Sequence, residues 1–276
     1  MSGWRTVVLL GVLVGLGIVG CGKSEVTDQP TEAAAVPAVV PVQPVLVKRN
    51  ATDYNVPFDA ATVAIAPEGF ELPPNKTFAG KPAAKLADNV RKVWPSIALT
   101  DDAGLPLTLR TSIETEAGTF EITLHPDVAP NHVRNFLALS KVGYFDGLVF
   151  ERVVQQVSVS TDGTRSPYEF ITAGCPVGDG TPGRGHLGYF LKPEISDITH
   201  EEGTVGFWRE DADESAGVRF YITLGPAPLM DKEYTVIGKV TLGLDTLRKI
   251  ADMPAKTPGS EQPLKPVAIR KVTANR

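Results

Sequence analysis

Tyr144–Val154 reads YFDGLVFERVV, a turn followed by a strand. Strand alternation puts Leu148, Phe150, Arg152 and Val154 on one face and Val149, Glu151 and Val153 on the other. A guanidinium therefore stands in an apolar row. Taking it out of water is costly unless it meets a carboxylate, the rim of a barrel, or a ligand. The pattern alone leaves a structural ion pair and a functional arginine both open.

Outward from this strand the signals are of the same kind. Upstream, Leu107, Leu109, Thr111 and Ile113 alternate, the run EAG turns, and Phe120, Ile122 and Leu124 alternate again, which is a hairpin. Between hairpin and strand, Pro130 opens a helix that shows Val133, Phe136 and Leu137 on one face and stops at Gly143. Downstream, LGLDTLRKIADMP predicts a second helix that packs through Leu244, Leu247, Ile250 and Ala251 and ends at Pro254. Short strands fill most of the interval. Many short antiparallel strands with two helices predict a mainly β fold, a closed antiparallel barrel of about eight strands capped by two helices.

The rest of the chain differs in texture. Its 276 residues are 42% hydrophobic and 21% charged, ordinary for a globular protein with a real core. A formal net charge of −5 argues against a nucleic-acid partner, which needs a basic face. Arg5 precedes an uncharged stretch, Val7–Gly20, which suits a signal-peptide core better than a membrane span of about 20 residues. It runs into IVGC, which resembles the lipobox of bacterial lipoproteins. Residues 1–20 are thus read as a signal peptide and Cys21 as a lipidation site, with an uncleaved N-terminal anchor as the alternative. Residues 21–50, rich in Pro, Ala and Val, read as an extended tether. Residues 51–106 form an extension of unassigned role with one plausible helix, Lys81–Val93, that aligns Leu86, Val90 and Val93. Cys175 is the one remaining cysteine, so with Cys21 lipidated no internal disulfide forms; it reads as a small buried filler rather than a reactive thiol.

Competing chemistries find little support. Gly178, Gly180 and Gly183 spell the dinucleotide fingerprint, but Pro182 interrupts the loop and GYFLKPEI follows where a helix is needed. His125, His132, His186 and His200 lack metal-ligand spacing, and no nucleophile elbow occurs. No metal and no cofactor are expected.

The pieces AGTFEITL, APNHVRNF, YFDGLVFERV, GCPVGDGTPGRG, AGVRFYITLG and MDKEYTVIGKV occur in an order similar to that of the cyclophilin family of peptidyl-prolyl isomerases. The resemblance covers residues 107–274. It implies that Arg152 is the catalytic donor to the substrate proline region. It further implies that Phe170, Tyr221 and Leu229 form the apolar proline pocket, with Tyr234 beside it. Departures accompany the matches. F-H-R is here Phe150, Glu151, Arg152; the pocket glutamine is Ala173; a second glutamine is Arg219; and the M-A-N wall is Phe207, Trp208, Arg209. Arg219 and Arg209 imply a taste for acidic peptides. Trp208 either narrows the groove or turns inward as packing. The implied function is cofactor-free isomerisation of X-Pro bonds in proline-containing peptides or unfolded exported proteins. It would take place at the cell envelope, on the periplasmic or extracytoplasmic side, under a lipid anchor. The alternative is an impaired peptide-binding or scaffold module.

Overall fold

In the computed structural model the described residues are 51–159 and 163–275. The expected signal, tether and lipidated Cys21 lie outside them. Ten strands and four α-helices follow in chain order. The strands are β1 (Thr62–Val63), β2 (Leu109–Thr115), β3 (Thr119–Leu124), β4 (Phe150–Val159), β5 (Arg165–Ala173), β6 (Phe190–Leu191), β7 (Thr204–Phe207), β8 (Phe220–Thr223), β9 (Val236–Leu242) and β10 (Ile269–Asn275). The helices are α1 (Phe58–Ala61), α2 (Ala83–Val93), α3 (Pro130–Lys141) and α4 (Leu244–Ala251).

Eight strands form one antiparallel sheet in the order β10-β2-β3-β9-β7-β8-β5-β4, and β1 pairs with β6 separately. The expected closed barrel is instead a curled sheet with β10 and β4 as its edges. Those edges meet only beside the opening turn: Val149 bridges Ala268, and the Phe150 amide donates to the Val267 carbonyl at 3.0 Å. Alternation in the first hairpin is as the sequence predicts, with Leu109, Ile113, Phe120, Ile122 and Leu124 all buried. In α4, Leu247 and Ile250 are buried, but the expected Leu244 contact is absent because that side chain is largely exposed at the helix start.

Helix α3 departs from its one-sided pattern. Every residue from His132 to Ser140 is buried. The cause is the segment 51–106, whose Tyr54, Phe58, Leu86, Val90, Trp94 and Leu99 enter the same hydrophobic core as the sheet. A helix sandwiched between a sheet and a second layer has no solvent face to spend on polar residues. Lys81 fastens that layer by donating from Nζ to the carbonyls of Gly143 and Asp146, at 2.5 and 2.6 Å.

The quoted strand also breaks its alternation. Phe150 pairs with Ala173 and Arg152 with Thr172, so Glu151 is an extra residue, a β-bulge. The bulge shifts the phase by one. Phe150 and Val153 then face the main core, while Arg152 and Val154 face the opposite side with their partners Thr172 and Phe170. Arg152 is therefore not in the apolar row that uninterrupted alternation assigns it.

Candidate functional site

On the outer side of the curled sheet, strands β4, β5 and β8 bring together a second, smaller apolar cluster. Val154, Phe170, Tyr221, Ala227 and Met230 are buried there, with Tyr168, Trp208 and Tyr234 packed against them. Strand register explains the grouping. Val154 lies opposite Phe170, and Tyr221 opposite both Thr172 and Gly206, so alternate residues of three strands share this face. Gly206 has to be glycine here, since a Cβ would come within 2.2 Å of the Tyr221 hydroxyl.

Arg152 stands at the edge of this cluster, and its partner is Glu261. Its Nε donates to Glu261 Oε2 at 2.8 Å and its Nη2 lies 2.6 Å from the same oxygen. Its guanidinium carbon sits 4.8 Å from the Trp208 ring centre and 5.9 Å from that of Phe170. The side chain is 18% exposed, so the group reaches solvent at the groove mouth. Two of the three openings left by the sequence, a carboxylate and a rim, are thus both taken. Gly180, in the glycine-rich loop, packs against the stem: with φ of 69° it leaves no room for a Cβ, which would fall 2.7 Å from Arg152 Cγ. No helix follows that loop, in agreement with the rejection of a dinucleotide site.

Trp208 lies over the pocket floor. Its ring stacks on Phe170 at 5.2 Å between centres and on Tyr234 at 5.4 Å. Phe170, Tyr221 and Met230 beneath are fully buried. Its Nε1 is buried without an acceptor. The tryptophan belongs to the outer cluster, so packing against the segment 51–106 does not account for it. Above it a groove of about 500 Å³ is lined by Tyr168, Trp208, Arg209, Leu229, Glu233 and Tyr234, among others. A separate cavity of about 400 Å³ between Ile97, Leu137 and Val272 shares no residue with it.

Two expected site residues sit elsewhere. Leu229 is 47% exposed at the rim, and the neighbouring Met230 fills the floor instead, because the 3-10 turn Pro228–Met230 rotates the pair by one position. Arg219 is only 1% exposed and does not face the groove. It lies under the floor, 3.2 Å from Glu151 Oε1 and 3.1 Å from Glu210 Oε1, and donates to Thr172 Oγ1 at 3.3 Å. Two departures from the family pattern, Glu151 and Arg219, thus neutralise each other. Burial raises the Glu151 carboxyl above its ordinary range, opposed by Arg219 and by the Thr172 hydroxyl. Arg209 is likewise engaged, with Nη2 2.8 Å from Glu233 Oε2. With both cations paired and Glu210, Asp211 and Glu233 on the groove wall, the expected preference for acidic peptides has no free charge to rest on.

A second buried polar chain supports the floor. His200 Nε2 and the Tyr221 hydroxyl are 2.6 Å apart, and His200 Nδ1 lies 2.8 Å from Asp231 Oδ1. Facing a carboxylate, Nδ1 carries the proton, which leaves Nε2 to accept from the tyrosine. Burial lowers the His200 pKa and raises that of Tyr221. Sequence reading missed His200, Glu261 and Met230. The first two lie 31 and 109 residues from the partners that define them, and neither sits in a local motif.

A cluster of apolar side chains on the outside of a curled antiparallel sheet, with one arginine at its edge, is the arrangement expected of a cyclophilin-type isomerase. The family model described as cyclophilin type peptidyl-prolyl cis-trans isomerase/CLD matches residues 110–274, and the chain belongs to that family. It is 30% identical over 175 residues to the peptidyl-prolyl cis-trans isomerase cyp15 of Rhizopus delemar, covering 63% of this chain but only 26% of that protein. It is 30% identical over 163 residues to ppi1 of Schizosaccharomyces pombe, of which it covers 96%, using 59% of its own length. Among solved structures, a cyclophilin-type isomerase of Cryptosporidium parvum superimposes with a TM-score of 0.52 at 21% identity, over 62% of this chain and 99% of that one. The same protein determined in the presence of the dipeptide Ala-Pro gives a TM-score of 0.51 at 23% identity, over 60% and 99%.

Proposed function

We propose that this chain catalyses cis-trans isomerisation of X-Pro bonds in unfolded exported proteins, with Arg152 as the donor and the Phe170, Tyr221 and Met230 floor as the seat of the proline ring. The observation that carries the reading is a guanidinium fixed at the mouth of an aromatic groove with part of its surface open to solvent. The reaction needs no more than this. Amide resonance sets a barrier of about 18 to 20 kcal/mol, and a donor that favours the twisted, less conjugated amide lowers it without nucleophile or cofactor. The solved relative determined with Ala-Pro is in keeping with a prolyl ligand. Seating a proline on Phe170 requires the Trp208 indole to swing aside, since it stacks on that ring.

The proposal places the domain outside the cytoplasm on a lipid attached to Cys21, which rests on the IVGC run alone. Cys21→Ser is expected to release the protein from membranes; a chain that stays membrane-bound after that change argues for an uncleaved anchor. An isomerisation assay on an X-Pro peptide tests the activity. A rate equal to the uncatalysed one favours the second reading, a peptide-binding or scaffold module, for which the complete burial of the pocket floor under Trp208 is the supporting observation.

A further inference from the structure

We infer that Glu261 is a positioning residue for Arg152, which deepens the reading of Arg152 as the donor and rests on it. Glu261 lies in the loop between α4 and β10 and is tied to β4 at three points. Its carbonyl accepts from the Val153 amide at 2.8 Å, Oε1 accepts from Gln156 Nε2 at 3.0 Å, and Oε2 holds Arg152. All three partners belong to the strand that carries the arginine. The carboxylate is therefore fixed relative to the Arg152 backbone before it contacts the side chain.

That contact determines which part of the guanidinium is left for a ligand. Nε and one side of Nη2 converge on a single oxygen, at 2.8 and 2.6 Å. One face of the group packs on the Trp208 ring at 4.8 Å. The Nη1 edge makes neither contact and is the part turned to the substrate amide. An arginine has a long flexible stem, and a donor that is ordered in advance needs no ordering when the amide twists. The groove has no second means of doing this. Position 173 is a buried alanine, and Arg219 is spent beneath the floor on Glu151 and Glu210. The pair is 18% and 32% exposed, the range in which an ion pair adds little to stability, so its removal should register in turnover rather than in folding.

The test measures the on-enzyme isomerisation rate and the peptide Kd separately, by NMR exchange on an X-Pro peptide, with the thermal midpoint recorded for each full-length variant. Glu261→Ala is expected to slow isomerisation by about ten- to a hundredfold, the scale of a small misplacement of a reacting group, with Kd and midpoint nearly unchanged. Glu261→Gln keeps one acceptor oxygen and should recover part of the rate. In an Arg152→Ala background, Glu261→Ala should have no further effect. A faster Glu261→Ala enzyme would mean that the carboxylate masks the arginine, and an equal loss in the Arg152→Ala background would mean that it acts elsewhere; either overturns the inference. If Arg152→Ala is inactive while Glu261→Ala is as fast as wild type, positioning fails and the donor reading survives. If Arg152→Ala itself turns over normally, both fall.

Discussion

At the scale of single residues, Arg152 and Trp208 make opposite demands on the same square of surface. The guanidinium is useful only where a peptide can reach it, and the indole lies across its face and over Phe170. Removing a preorganised donor costs about 10² to 10³ in rate, so Arg152→Ala should lower kcat/KM by that factor with little change in the unfolding midpoint. Arg152→Lys should recover little, because an ammonium lacks the planar fork that Glu261 orients. A variant that unfolds yet keeps full activity per folded molecule would make the arginine a structural partner only. For Trp208→Ala the expectation is wider acceptance of bulky residues before the proline, read from a peptide library. Its stability cost should stay below the about 3 to 5 kcal/mol of a core aromatic, since the ring is partly exposed and its N–H has no acceptor to lose. An unchanged specificity profile with a full core-sized loss would rule the gate out.

At the scale of elements, the bulge at Glu151 is the device on which the site depends. It turns Arg152 outward and Phe150 inward, and it drops an acid below the floor, where Arg219 of the neighbouring strand neutralises it. Breaking such a pair leaves an uncompensated buried charge. Arg219→Ala is thus expected to cost about 3 to 5 kcal/mol in urea unfolding, whereas replacing both members by apolar residues of similar volume should cost far less. A mild effect of the single change would show that water reaches the pair. The hairpin, both helices and the family were legible because each rests on a local period or motif, as in Phe120, Ile122 and Leu124 or in the Pro130 start. The bulge was not, because one inserted residue leaves the composition of YFDGLVFERVV unchanged while reversing its faces. Arg219 was misplaced for the same reason. Its match to a groove position in the family is sound by alignment, and only the acid delivered by the bulge makes burial tolerable.

At the scale of the whole molecule, the segment 51–106 behaves as a layer of the core rather than an appendage. Trp94 is 2% exposed, donates from Nε1 to the Val56 carbonyl at 2.9 Å and meets Phe58 edge-on at 5.3 Å. Trp94→Ala should therefore cost about 3 to 5 kcal/mol although it lies outside the stretch matched by the family; a loss confined to local proteolysis, with the global midpoint unchanged, would show the layer to be separable. The same close packing sets the response to acid. Burial lowers the pKa of His125, His186 and His200 below the ordinary 6.5. A histidine whose folded pKa is depressed contributes stability above its unfolded pKa, and that contribution drains away as pH falls from about 6.5 through the lower folded value. Glu151 has the opposite sign: its raised pKa makes ionisation a burden on the fold, relieved as acid protonates it. Comparing wild type with His200→Gln isolates one histidine from this sum, since glutamine does not titrate. At pH 7 the variant should be less stable, having lost the bonds to Asp231 and Tyr221. From pH 6.5 downward the unfolded wild-type chain takes up a proton at position 200 that the folded chain resists, so the gap between the two urea midpoints should narrow. A gap that is constant or widening between pH 7 and 5 would mean that Asp231 holds His200 charged in the fold, and that the Tyr221 hydroxyl accepts from the imidazolium instead of donating to a neutral ring.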